Sequence, residues 1–235
     1  MISVCLATYN GEPYIREQVA SILEQLAHAD ELIISDDGSS DGTLEIIRSF
    51  NDPRIKLIPN ELCKGVNGNF ENAMRHAKGE YIFFADQDDV WLPGKVEHCV
   101  RALKDHACVV HDAYITDSEL NVIHDSFFKE FHCRRGFIHN WVKNGYLGCA
   151  MAFRREILDI ALPIPGNLPV WHDIWFGSIA QLKYDVAFIP YKGIKFRRHS
   201  SNTSTTSQSS FPLSKKISYR LGLLRHLFCR LYANR

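Results

Sequence analysis

No C-x-x-C pair occurs in the 235 residues, and the seven cysteines (Cys5, Cys63, Cys99, Cys108, Cys133, Cys149 and Cys229) are odd in number and scattered. That spacing argues against a zinc finger and against a disulfide framework, so reduced thiols in a reducing compartment are expected. Charge of one sign is not in excess either. Twenty-seven basic residues face 27 acidic ones, whereas a general nucleic-acid binder carries a basic surplus, and nucleic acid is therefore not an expected partner. No run approaches the roughly 18 apolar residues of a membrane-crossing helix. The opening MISVCLATYN carries no basic leader and patterns as a strand, so the cytoplasm is the expected location. There are no internal repeats. What is present is an ordinary globular composition, 46% hydrophobic and 23% charged, enough to bury one sizeable core.

Short apolar runs alternate with helical patterns through the first half. Strands are expected over 2–8, 32–35, 55–58 and 81–85. Helices are expected after Pro13, after the polar cluster at 36–43, and over 69–77. Strands separated by helices imply parallel pairing with right-handed crossovers. The second half is less regular, with strands expected over 108–111, 148–153, 187–189 and 194–196, and a helix over 174–181. Residues 200–210 are nearly all Ser, Thr, Asn and Gln, which marks a loop.

In such sheets ligands bind beyond the carboxyl ends of the strands. Three of those ends carry dense polar sequence, at 8–12, 36–41 and 86–89. Asp86-Gln87-Asp88 puts two carboxylates on one short turn. Hard divalent cations take oxygen ligands, and Mg²⁺ or Mn²⁺ is commonly held by one or two carboxylates plus substrate phosphates. The same acids would also suit an ordinary helix N-terminus ahead of Pro93, so the turn alone leaves both readings open.

Taken together, Thr8-Tyr9-Asn10, the Asp36-Asp37-Gly38-Ser39-Ser40-Asp41-Gly42-Thr43 loop, Gly65-x-x-Gly68-x-x-x-Asn72 and Asp86-Gln87-Asp88-Asp89-x-Trp91-x-Pro93-x-Lys95 resemble the family 2 inverting glycosyltransferases of the GT-A fold. The segment from Gly148 to Glu156 resembles that family's acceptor-side strand and following helix. Trp171-His172-Asp173-Ile174-Trp175 and Phe196-Arg197-Arg198-His199-x-x-Asn202-x-Ser204 resemble its rhamnosyltransferase-like branch.

The resemblance implies one α/β domain with a Rossmann-like, mostly parallel central sheet flanked by helices. A nucleotide half at 1–105 would be followed by an acceptor half at 106–200, a polar loop at 201–212 and a basic amphipathic helix at 213–235. It further implies that Thr8, Tyr9 and Glu12 line the nucleotide pocket, that Asp37 or its neighbour Asp36 contacts the base, and that Asp86 lies near the ribose. By the same likeness Asp88 and His199 hold Mg²⁺ or Mn²⁺ against the diphosphate, while Gly148, Trp171 and His172 lie on the acceptor or sugar side. The donor would be a nucleotide-diphosphate sugar, dTDP-rhamnose-like or a UDP-sugar, with residues 140–144 and the Trp171 region shaping the choice. The acceptor would be a glycan or lipid-linked oligosaccharide of a cell-surface polysaccharide.

Asp173 is the candidate general base, because one carboxylate must accept the acceptor proton as its oxygen attacks the anomeric carbon. Asp is also a favoured helix N-cap, and a helix is expected to start here. His172 stands where many family members have Glu, and has no role assigned. The tail from 213 carries Lys215, Lys216, Arg220, Arg225, Arg230 and Arg235 with no acidic residue, and Ile217, Leu221, Leu224, Phe228 and Leu231 fall on one helical face. A helix so built either lies on an anionic membrane surface, at the inner face of the cytoplasmic membrane, or packs on the domain. Two rival readings stand beside the transferase. Asp86-x-Asp88-x-Val90 also fits the nucleophile motif of haloacid-dehalogenase-type phosphatases, without that family's later acidic metal pair. A catalytically inactive nucleotide-sugar binder would keep the same residues.

Overall fold

A computed structural model describes residues 1–200, 202 and 212–233. β1 (Ile2–Thr8), β2 (Glu31–Asp36), β3 (Ile55–Pro59) and β4 (Tyr81–Asp86) pair in parallel in the order β3-β2-β1-β4. β1 and the centre of β2, from Leu32 to Ser35, are apolar or small-residue runs because both faces of the sheet are covered. The covering helices of this half are α1 (Ile15–Leu23), α2 (Thr43–Ser49) and α3 (Val66–His76). α3 packs so tightly on the preceding loop that a Cβ on Gly68 would fall 1.8 Å from the Cys63 carbonyl oxygen.

The second half contributes β5 (Val90–Trp91), α4 (Lys95–Leu103), β6 (Cys108–Thr116), β7 (Val122–His124), α5 (Phe127–Phe131) and α6 (Phe137–Val142). Next come β8 (Met151–Arg154), α7 (Glu156–Ala161), α8 (His172–Lys183), β9 (Val186–Arg197) and α9 (Leu213–Phe228). The nine strands form one mixed sheet, β3-β2-β1-β4-β8-β6-β9-β5, with β7 on the side of β6. Parallel pairing holds among β1 to β4 and between β6 and β9, whereas β8 runs antiparallel to both β4 and β6.

That inverted strand places the site. Because β8 is antiparallel to both of its neighbours, and β9 is parallel to β6, the strands β4, β6 and β9 all point the same way. The exits of β1, β2, β4 and β9 and the entry of β8 therefore share one edge. In register, Thr8 lies opposite Asp36, and Ala7 opposite Asp86.

Three elements differ from the sequence expectation. Residues 148–150 form a 3₁₀ turn before β8 begins at Met151. The two strands expected over 187–189 and 194–196 are one, with Pro190 and Tyr191 bulged out between the partners of His111 and Asp112. Proline has no N–H to give the ladder, so a bulge accommodates it while the strand continues. α9 and the π-helical turn that continues it (Cys229–Ala233) pack through Leu223, Leu227 and Leu231; of the face expected from the sequence only Leu231 is buried, while Ile217, Leu221 and Phe228 are exposed. A helix with two apolar stripes can bury only one against a single domain. Phe84, Phe153 and Phe176 interlock behind the shared edge, each aromatic contributing about 1.5–3 kcal/mol on burial.

Candidate active site

Gln87 ties the ends of β1 and β4 together. Its Oε1 accepts from Thr8 Oγ1 at 2.7 Å and from the Tyr9 amide at 2.8 Å, and its Nε2 donates to the Tyr9 carbonyl. Thr8 is thereby buried and oriented, while the Tyr9 ring stays exposed over the edge. Glu12 accepts from the Gly42 amide, joining the first turn to the second at the rim. The neighbouring acids in the second turn differ. Asp36 is turned onto its own loop, where it accepts from the Gly38 and Ser39 amides and from Ser39 Oγ. Asp37 lies at the rim, where it accepts from Asn60 Nδ2 and from the Gly65 amide, both at 2.7 Å.

Asp88 and His199 meet across 111 residues of chain, with His199 Nε2 2.8 Å from Asp88 Oδ2. The same carboxylate oxygen accepts from Asn202 Nδ2 at 2.8 Å. The His199 amide donates to Asn202 Oδ1, which holds the turn in shape. The imidazole stacks on Tyr14 at 4.5 Å between ring centroids. Arg197, paired to Glu17, donates to the Asp88 carbonyl and gives its own amide to Asp89 Oδ1. Asp89 is fully buried, and burial followed by the charges of Asp88 and Asp86 pushes its carboxyl well up. It anchors the end of β9 to the acidic turn.

Beneath that turn lies a buried cation. Lys95 Nζ donates to the Cys149 carbonyl at 2.7 Å and sits 3.8 Å from the Trp91 ring centre, and burial lowers its pKa to about 8. Asp86 is raised to about 7, chiefly by burial, then by the carboxylates of Asp88 and Asp173. The charges acting on Asp86 thus come both from the acidic turn and from Asp173 on α8.

One wall of the site is Gly148 with the start of α8. Burial raises the Asp173 carboxyl to about 6, against the pull of the Ile174, Asp173 and Gly148 amides. The N-cap of α8 is Trp171, so Asp173 sits inside the first turn and the capping role weighed for it falls away. His172 points into the core. Its ring stacks on Phe70 at 3.9 Å, neither ring nitrogen has a hydrogen-bond partner among the described residues, and burial drives its pKa to about 3. A Cβ on Gly148 would come within 3.1 Å of His172 Nε2, so that position is tightly walled.

Two donor sets are candidates for a divalent cation. Asp86, Asp89 and Cys149 present ligand atoms within 4.8 Å of one another. Burial, with the charges of Asp89 and Asp86, holds the Cys149 thiol far above its usual range, and Asp89 is committed to the Arg197 amide. A protonated soft donor does not suit Mg²⁺ or Mn²⁺. The Asp88 oxygen and the His199 nitrogen fit better: they are already 2.8 Å apart and lie at the rim, where substrate phosphates could complete the shell.

A profile of glycosyl transferase family 2 matches residues 3–160. The chain belongs to that family. The chain is 32% identical over 174 residues to the UDP-Glc:α-D-GlcNAc-diphosphoundecaprenol β-1,3-glucosyltransferase WfgD of Escherichia coli, covering 73% of the chain and a little under two thirds (65%) of that relative's length. It is 29% identical over 242 residues to the dTDP-rhamnosyl transferase RfbG of Shigella flexneri, across 96% of the chain and 81% of that relative. Among solved structures it is similar to S. aureus TarS 1–349 in complex with UDP-GlcNAc (TM-score 0.70, 18% identity, 97% of the chain and 72% of that structure). A second is the mannosyltransferase PcManGT of Pyrobaculum calidifontis in complex with GDP-Man and Mn²⁺ (TM-score 0.60, 20% identity, 99% and 63%). These likenesses bear out the GT-A-type architecture. Membership in the family sets aside the phosphatase reading of Asp86 to Val90.

The structure also brings to this edge residues that the sequence left without a role. Asn202 completes the Asp88–His199 contact, Gln87 clamps the first turn, and Tyr14 backs the imidazole. Gln87 and Asn202 stand inside recognised motifs, whereas nothing in the sequence around Tyr14 marks it.

Proposed function

We propose that the protein transfers a sugar with inversion from a UDP- or dTDP-sugar to a hydroxyl of a lipid-linked glycan in cell-surface polysaccharide synthesis. The observation that carries it is the convergence of Asp88, His199 and Asn202 at the exit of β4 and β9, on the same sheet edge as Gly148 and the Asp173 that adjoins it. A base on one side and a diphosphate site on the other are what a direct displacement requires. In this scheme Thr8, Tyr9, Glu12 and Asp37 line the nucleotide pocket, and Asp36 shapes the loop that carries Asp37. Asp88 and His199 would hold Mg²⁺ or Mn²⁺, which when bound neutralises charge on the departing diphosphate.

Asp173 takes the proton of the acceptor hydroxyl as its oxygen forms the new bond to the anomeric carbon. The bond from that carbon to the diphosphate oxygen breaks, and its electron pair leaves with the nucleoside diphosphate. With a pKa of about 6, Asp173 is ionised at neutral pH yet basic enough to matter. The names of WfgD and RfbG support UDP and dTDP as the bases to test first, and that of WfgD supports a diphospholipid-linked acceptor.

The test is incubation with UDP-glucose, UDP-N-acetylglucosamine and dTDP-rhamnose against lipid-linked monosaccharides, with the product's anomeric configuration read by NMR. Inverted product from one donor is expected. Retained configuration, or no nucleoside diphosphate released from any donor, would overturn the proposal.

A further inference from the structure

α9 carries two apolar stripes. Leu223, Leu227 and Leu231 are buried against the domain. On another face Leu213, Ile217, Leu221, Phe228 and Tyr232 recur at four- and seven-residue steps and lie in solvent, between 46% exposed for Ile217 and 70% for Leu213. A lone exposed leucine is ordinary, but an aligned row of five large apolar side chains marks an interaction surface.

The row does not stand alone. The Arg220 guanidinium donates to the Trp141 and Val142 carbonyls at the end of α6, and Trp141 Nε1 donates back to the Arg220 carbonyl. This clasp sets α6 beside α9, and α6 exposes Ile138 and Val142, one helical turn apart on the same face. On the other flank Gly222 lets α9 approach the loop before α8, since a Cβ there would meet Pro169 at 2.8 Å. That loop leads to the exposed Trp171, directly ahead of His172 and Asp173. The apolar surface therefore borders the acceptor side of the site.

Its charge names the occupant. Residues 212–233 hold no acidic residue; of their cations Arg220 and Arg230 donate to backbone carbonyls of the domain, so Lys215, Lys216 and Arg225 carry the charge argument. We propose that this face seats the enzyme on an anionic lipid surface, with the α9 stripe and Trp171 at the headgroup boundary and the cations against lipid phosphates. A second copy is disfavoured, because self-contact would set Lys215, Lys216 and Arg225 against their own counterparts. Among the described residues no helix is long and apolar enough to cross a membrane, and the proposed contact lies in the surface plane.

The proposal deepens the lipid-linked acceptor reading and rests on it for its purpose. The vesicle test uses neither donor nor acceptor, so failure of one is distinguishable from failure of the other. Full-length protein is floated with vesicles of phosphatidylcholine alone and of equimolar phosphatidylcholine and phosphatidylglycerol, at low and high salt. Binding to the anionic vesicles alone is expected, lost in high salt. Ile217→Asp/Leu221→Asp should weaken it at least about tenfold, and Lys215→Glu/Lys216→Glu by a similar factor. Nucleotide-dependent thermal shifts should be unchanged in both, which shows that the variants fold. Absence of binding to anionic vesicles would overturn the proposal. So would unchanged binding by the apolar variant, or a change from dimer to monomer in that variant with vesicle binding intact.

Discussion

Replacing Asp173 by asparagine should make the protein slower and more stable at once, and the two effects should depend on pH in opposite ways. The carboxyl titrates at about 6 in the fold against 3.8 in an unperturbed aspartate. Between those values the folded state binds a proton that the unfolded state has released, so the group's contribution to stability falls as pH rises through the window. The full penalty is about 3 kcal/mol at neutral pH and vanishes below about pH 4. Asparagine carries no charge to bury. Asp173→Asn should therefore match the wild type near pH 4 and gain up to about 3 kcal/mol by pH 7.5, less whatever the Ile174 and Gly148 amides lose by facing a neutral acceptor. Asp86 titrates in both proteins and largely cancels, although its carboxyl relaxes downward once Asp173 is gone. Turnover should fall about 10²–10⁴-fold, and the ascending limb of the kcat/KM profile near pH 6 should disappear. Thermal unfolding without nucleotide from pH 4 to 8, beside rate profiles over the same range, reads both. A variant that is destabilised at pH 7.5, or one that keeps its rate within tenfold and keeps the limb, would refute the reasoning.

At the other wall, Asp88→Ala should abolish the metal dependence of nucleotide binding while leaving the fold intact. Asn202→Ala removes only a neighbour that orients the carboxylate, so Mn²⁺ affinity should weaken about 10–100-fold, and titration of Mn²⁺ by electron paramagnetic resonance separates the two. Equal loss in both would mean that Asn202 is itself part of the coordination. Gly68→Ala tests the packing of α3. The Cys63 carbonyl is backbone and cannot swing aside from a Cβ at 1.8 Å, so at least about 2 kcal/mol should be lost, visible as a lower Tm. A Tm within a degree or two of wild type would show that the loop at 63–65 gives way.

The parallel half of the sheet was legible because its strands are buried on both faces and its turns are bought from Gly, Asp and Ser, each with a local reason. Asp86, Asp88 and Asp173 were legible as carboxylates at strand and helix ends. Their division of labour came from resemblance to a family, since no local pattern states which acid faces a phosphate. Asp36 illustrates the limit. Both acids of the Asp36–Asp37 pair suit a rim contact by type, but the tight turn at Gly38 directs two amides onto Asp36 and leaves Asp37 to reach Asn60 and Gly65. His172 is a second case, where helical phase decides: one residue before Asp173 on α8 is a rotation of about 100°, enough to aim the imidazole at Phe70 and away from the cleft.

The meeting of Asp88 with His199 depends on something no window of sequence contains, the direction of β8. Had β8 run parallel to β4, Gly148 would enter at the far end of the sheet. β6, kept antiparallel to β8, would then run opposite to β4, and β9, parallel to β6, would deliver His199 to the wrong edge. The reversal of β8 thus brings Asp173, Gly148 and the Asp88–His199 pair to the same rim. Asp89 fixes the result by accepting the Arg197 amide from inside the core. A buried carboxylate bonded to a distant backbone costs stability through desolvation, and its gain here is positional: it holds the end of β9, and so His199, against the turn that carries Asp88. Asp89→Asn keeps the acceptor for the Arg197 amide and should preserve metal-dependent nucleotide binding, whereas Asp89→Leu should release the strand end and lose it while Asp88 and His199 are both still present.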